Sequence, residues 1–127
     1  MEWFEKLPEQ CPPQEATVPN NETFYRIIKG NTVEDNDFLS QREIRGVDLV
    51  FHSKEITECI ARAVSIYKTV DDATSLLKLP KFKNCEIAKV SLNIDDGLVL
   101  KTMRNSHYSW WRSKRFDINK ANVYRNE

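Results

Sequence analysis

Glu86-Ile87-Ala88-Lys89-Val90-Ser91-Leu92-Asn93-Ile94, followed by Asp95-Asp96-Gly97 and Leu98-Val99-Leu100, decides how the chain is read. Ile87, Lys89, Ser91 and Asn93 alternate with Ala88, Val90, Leu92 and Ile94, which predicts a strand with one well-buried face. Asp-Gly between two apolar runs is a tight-turn signal, so a hairpin returning through Leu98–Leu100 is expected. Upstream, Phe24-Tyr25-Arg26-Ile27-Ile28-Lys29 is a second strand, closed by Gly30-Asn31. Its alternation puts Phe24, Arg26 and Ile28 on one face. Arg26 therefore lies between apolar neighbours, either reaching the sheet edge or held for a carboxylate or phosphate.

Residues 31–37 form an acidic turn region, 38–43 show no clear period before Gly46, and 47–52 read as a short strand or a loop. Ser53 is a good N-cap, with Glu55 in the turn that follows. Ile56, Cys59, Ile60, Ala63, Val64 and Tyr67 then recur at helical spacing. A helix over 54–62 and a strand over 64–68 are expected, against an alternative in which the helix continues to residue 67. Thr69-Val70-Asp71-Asp72 starts a helix over 70–78, with Ala73, Leu76 and Leu77 inward and Leu79-Pro80 as its stop. A late strand is expected around Val123-Tyr124. Together these elements predict one α+β domain over 24–127, mainly antiparallel sheet with two or three short helices. Residues 1–23 form an N-terminal arm. Trp3, Phe4 and Leu7 share a patch on one helical turn before Pro8; they either pin the arm to the domain or offer it to a partner.

At 127 residues, 40% apolar, the chain is sized for one core and is not disordered. No apolar run approaches the roughly 20 residues that span a bilayer, and no basic segment followed by an apolar one marks a secretory signal. Cys11, Cys59 and Cys85 are odd in number and lack a CxxC pair, so free thiols and a reduced, cytoplasmic protein are expected, with Cys59 and Cys85 buried. The zero net charge divides unevenly. Residues 101–127 carry seven Lys/Arg against Asp117 and Glu127, leaving the rest of the chain at −5. The basic tail is expected to lie on the protein's own acidic body rather than on nucleic acid.

Ser106-His107-Tyr108-Ser109-Trp110-Trp111-Arg112 concentrates the chemistry. His107 can act as a general acid or base because imidazole titrates near neutrality. Metal binding is not expected, since His52 is the only other His. On a strand Trp110 and Trp111 face opposite ways, one in the core and one at the surface. The exposed indole would stack on a base or nicotinamide ring beside Arg112, or anchor a protein partner.

The strand bearing Tyr25-Arg26, the helix, Val64-Ser65-Ile66-Tyr67, the helix holding Asp72-Ala73 and the Ile87–Leu92 strand resemble the split-sheet layout of ADP-ribosyltransferase-like domains. The resemblance implies NAD as ligand, with Arg26 on the first strand and Ser65 on the next lining its pocket. The family's late Glu has no clear counterpart. Phe24-Tyr25-Arg26, Asp37–Arg42 and Ser106-His107-x-x-Trp110-Trp111 are also similar to a small bacterial family that carries no functional assignment. The expected function is a cytoplasmic domain binding NAD or a related nucleotide, with His107, Arg26 and Ser65 as candidate catalytic residues. Tyr25, Trp110, Trp111 and Arg112 are the candidate ligand-binding residues. The alternative is a non-enzymatic module docking a protein through its Trp/His-rich edge and basic tail.

Overall fold

A computed structural model describes residues 1–125. Among them, the strands are β1 (Glu22–Ile28), β2 (Val64–Tyr67), β3 (Glu86–Leu92), β4 (Gly97–Lys101), β5 (His107–Arg112) and β6 (Ala121–Val123). The helices among them are short: α1 (Gln41–Arg45), α2 (Glu58–Ala61) and α3 (Val70–Leu76). All strand pairs are antiparallel, in the order β4-β5-β2-β1-β3-β6. The domain is α+β, and no helix among the described residues is long and apolar enough to cross a membrane.

β1 and β3 pair along their whole length, from Glu22 opposite Leu92 to Ile28 opposite Glu86. β1 and β2 meet only at Tyr25 opposite Tyr67. The sheet is thus two halves joined at a narrow seam. Phe24, Ile28, Val64, Ile66, Val90, Leu92, Val99 and Trp110 fill the core, with Phe38 and Phe116 edge-on to the Trp110 ring.

The expected hairpin is not formed. β3 lies beside β1 and β6, β4 beside β5, and the Asp95-Asp96-Gly97 stretch carries the chain from one half to the other. Four strand spacings in a flat sheet are about 19 Å, more than so short a turn spans, so the halves curl toward each other. Asp96, fully buried, holds the corner. Its carboxylate accepts from Asn93 N at 2.7 Å and pairs with Lys120 Nζ at 2.9 Å, while its carbonyl accepts from Trp110 Nε1 at 2.9 Å and Ser113 N at 3.0 Å. The local turn signal is real, but these distant partners decide where the next strand goes.

Three further expectations are corrected. α2 covers Glu58–Ala61 and is capped by Thr57, because residues 53–57 spend their polar groups in turns of their own. Cys11 and Cys59 are not free thiols: they form a disulfide across a Cα separation of 5.5 Å. Only Cys85 remains as a thiol, and it is half-buried rather than buried, so the thiol argument for a reducing compartment no longer holds. The arm makes no helical turn at residues 3–7. It bends at residues 4–5 instead, with Trp3 bridged to Ser113 and Thr17 bridged to Val99 on the edge of β4.

The basic tail lies on the body. Arg112, Lys114, Arg115, Lys120 and Arg125 pair with Asp35, Glu2, Asp95, Asp96 and Glu86 respectively. The surface pairs contribute little each.

Candidate functional site

β2 and β5 run side by side with Ser65 opposite Ser109 and Tyr67 opposite His107. The period-2 geometry of strands therefore gathers two hydroxyls, an imidazole and a phenol on the face away from the core. Thr102, just beyond β4, completes the group: its Oγ1 is 2.8 Å from Ser109 Oγ and 3.0 Å from His107 Nδ1. His107 Nδ1 is also 3.3 Å from the Thr102 carbonyl. A proton on Nδ1 is shared between those two oxygens, leaving Nε2 as the acceptor. The Tyr67 ring meets His107 edge-on at 5.3 Å.

Ser65, His107 and Ser109 line a small, partly open cavity of about 90 Å³, bordered by Leu49, Val50, Ile56 and Ile60 from the α1–α2 connection and α2. His107 and Met103 also line an open cleft of about 510 Å³ with Tyr67, Asp72, Leu76 and Arg104. Cavity and cleft adjoin at the imidazole. Burial lowers the His107 pKa below its ordinary 6.5, opposed by the bond to the Thr102 backbone and assisted by the charge of Arg26. The imidazole is neutral at physiological pH. In the cleft, Asp72 accepts from Ser106 N at 3.0 Å and Ser106 Oγ at 2.6 Å, which draws its pKa down, the hydroxyl being the main cause. Arg104 is exposed and has no ion-pair partner among the described residues.

The depressed His107 pKa fixes a sign. Above pH 6.5 the imidazole is neutral folded and unfolded, and it contributes nothing to pH dependence. As the pH falls through 6.5 the unfolded chain takes up a proton that the folded site refuses, so stability drops until the lower folded pKa is passed. Urea midpoints from about pH 7.5 to about pH 5 should fall more steeply for wild type than for His107→Gln. Parallel curves would remove His107 as the cause.

Comparison with known proteins returns no match. No family model, no curated protein and no solved structure is similar to the chain. The site is read from its own geometry.

Of the seven candidate residues, Ser65 and His107 share the cavity, and Arg26 adjoins it through the Ser65 carbonyl. Arg26 holds neither carboxylate nor phosphate. Its guanidinium donates to Asp37 O at 2.9 Å, Ser65 O at 2.9 Å and Leu39 O at 3.3 Å, stitching the seam where β1 and β2 part. Its surroundings lower its pKa to about 10, burial being the main cause, so it stays charged at neutral pH. Tyr25 stands opposite Tyr67 at the same seam, edge-on to Tyr124.

The other three are structural. Trp110 and Trp111 are both fully buried, contrary to the expectation that one faces solvent. The second face of β5 is roofed by α2, whose Cys59 carbonyl accepts from Trp111 Nε1 at 2.9 Å. Arg112 is also buried, bonded to Asp35 and the Phe38 carbonyl beneath the Phe4 ring at 3.7 Å. Ser109, Thr102, Tyr67, Met103 and Arg104 belong to the site and were missed by residue-type reasoning. Alternation alone puts Ser109 on the His107 face; the others needed the strand pairing. Among the described residues, no group of three His, Cys, Asp or Glu side chains is placed to hold a metal ion.

Proposed function

We propose that the domain binds a nucleotide-type ligand such as NAD, a ring-sized group entering the His107 cavity and the phosphate-bearing part lying in the cleft beside Arg104. The observation that carries this reading is the sharing of His107 and Met103 by a small cavity and a larger open cleft. That arrangement suits a ligand with a compact head and a longer polar remainder. Ser109 and the neutral His107 supply hydrogen-bonding partners for a polar ring substituent, and Arg104 supplies the cation. The resemblance to ADP-ribosyltransferase-like domains supports the same ligand class, although Arg26, the residue it assigns to NAD, is engaged by three carbonyls.

A dry cavity of about 150 Å³ takes up benzene, so at about 90 Å³ the His107 cavity admits a ring only when its roof yields. The reading extends to binding. No carboxylate lines the small cavity, and Asp72 in the cleft is engaged by Ser106. The rival reading, protein docking on a Trp-rich edge and basic tail, loses its anchors: both indoles are buried and five tail cations are paired.

Calorimetry with NAD, ADP-ribose and nicotinamide tests the proposal. NAD should bind at up to millimolar concentration, with Arg104→Ala weakening NAD and ADP-ribose but not nicotinamide. Ser109→Ala should weaken NAD and nicotinamide about five- to tenfold, the loss of one buried hydrogen bond. Absence of heat or thermal shift with all three at millimolar concentration sinks the reading.

A further inference from the structure

The cavity roof is a poorly braced part of the domain. α2 has a single turn, and the connection from Leu49 to Thr57 that leads into it contains no strand or helix. An isolated turn of helix is unstable by itself, so something outside it must fix it. Three tethers do so: the Trp111 Nε1 bond to Cys59 O at 2.9 Å, the pairing of Glu58 with Arg42, and the bond from Cys59 to Cys11. Only the last is covalent, and only the last is reversible by chemistry. Its distant end is firmly held, since the arm carrying Cys11 is bonded to Val99 on one side and to Arg112 and Ser40 on the other. Both cysteines are partly exposed, so a small dithiol reaches them. Cys59 directly precedes Ile60 and Ala61, which line the cavity.

We propose that the Cys11–Cys59 disulfide is a redox clamp on the roof of the His107 cavity: closed when oxidised, released when a dithiol reduces it. In the balanced step, one thiolate of the dithiol attacks a sulfur of the bond and its second thiol displaces the resulting mixed disulfide. Cys11 and Cys59 leave as two thiols and the dithiol leaves as its own disulfide, two electrons and two protons having passed to the protein. Release lets α2 and Ile60 move outward, the movement a ring needs to enter. The clamp's bearing on ligand entry rests on the proposed function; its effect on the roof does not.

Hydrogen exchange at labelling times of seconds to minutes tests it, comparing the oxidised protein with protein held in dithiothreitol. Amides of residues 60–63 should exchange at least tenfold faster after reduction, while amides of β1 and β3 stay protected at the same times. Cys11→Ser should reproduce the pattern without reagent. Equal roof protection in both redox states overturns the clamp. So does a simultaneous rise in roof and sheet, which would make the bond a brace of the whole fold. Stopped-flow binding of nicotinamide adds the second readout: association should be at least tenfold faster after reduction. If roof exchange responds but nicotinamide binds in neither state, the ligand reading fails and the clamp stands.

Discussion

Gly97→Ala should cost the fold a large part of its stability. Gly97 has φ +132°, a conformation that side-chain-bearing residues rarely adopt, and an added Cβ would lie 2.0 Å from the Trp111 carbonyl oxygen. Two more neighbours crowd it, Trp110 Nε1 at 2.9 Å and Ser113 N at 3.1 Å. Both are fixed by donating to the Asp96 carbonyl, so neither can give way without losing a buried hydrogen bond. Backbone strain and overpacking cost about 1–3 kcal/mol each, and the broken bonds add to them, for a total of about 5 kcal/mol. Domains of this size are stable by roughly 5–15 kcal/mol. The variant should be largely unfolded or should melt more than about 15 °C below wild type by circular dichroism. A melting temperature within a few degrees of wild type would show that the corner is soft and that the account of its packing is wrong.

Arg26 carries the second large effect, and here the structure and the family resemblance predict different readouts. Arg26 donates to three carbonyls, Ser65 on β2 across the seam and Asp37 and Leu39 in the connection after β1, and so ties that connection to both sheet halves. Arg26→Ala leaves all three short of a donor in a half-buried place, a loss of about 3–4 kcal/mol at about 1 kcal/mol or somewhat more each. Arg26→Lys keeps the charge, but one ammonium cannot meet three carbonyls arranged for a planar fork, so about 2 kcal/mol should still be lost. Urea unfolding measures both. An anion-binding Arg26 would instead lower NAD affinity and leave stability almost unchanged. Full stability in the Lys variant would end the seam-stitching role.

What the sequence shows plainly is what neighbours decide. Phe24–Ile28 and Ile87–Leu92 form strands because β-branched and aromatic residues alternate within them, and Thr69 starts α3 because its hydroxyl accepts from Asp72 N three residues on. His107 was reachable as a site residue from the chemistry of imidazole, and Ser65 only through the family resemblance; the pairing of β2 with β5 is what brings them together. Asp95-Asp96-Gly97 misleads because its turn chemistry is local while the direction of the next strand depends on Lys120, Trp110 and Ser113. Trp111 misleads for the same reason: alternation assigns its face, but nothing near it in sequence announces that α2 covers that face. Cys11 and Cys59 are 48 residues apart with no spacing motif, and only the path of the arm brings them together. Arg112 belongs to a basic run by sequence, yet Phe4, Phe116 and Asp35 enclose it.

The arm also makes the domain depend on contacts between distant parts of the sequence. Trp3 pairs with Ser113, Phe4 N donates to Arg112 O and Thr17 pairs with Val99, while Glu5 holds Ser40 and Cys11 is bonded to Cys59, so the arm takes partners from widely separated parts of the chain. β5, placed between β2 and β4, comes late in the chain. Without β5, β4 has no neighbour in the sheet and β2 meets the other half only at Tyr25. Contacts this distant in sequence slow folding and keep an incomplete chain dependent on protection from its neighbours. β5 is the strand that connects β4 to the rest of the sheet.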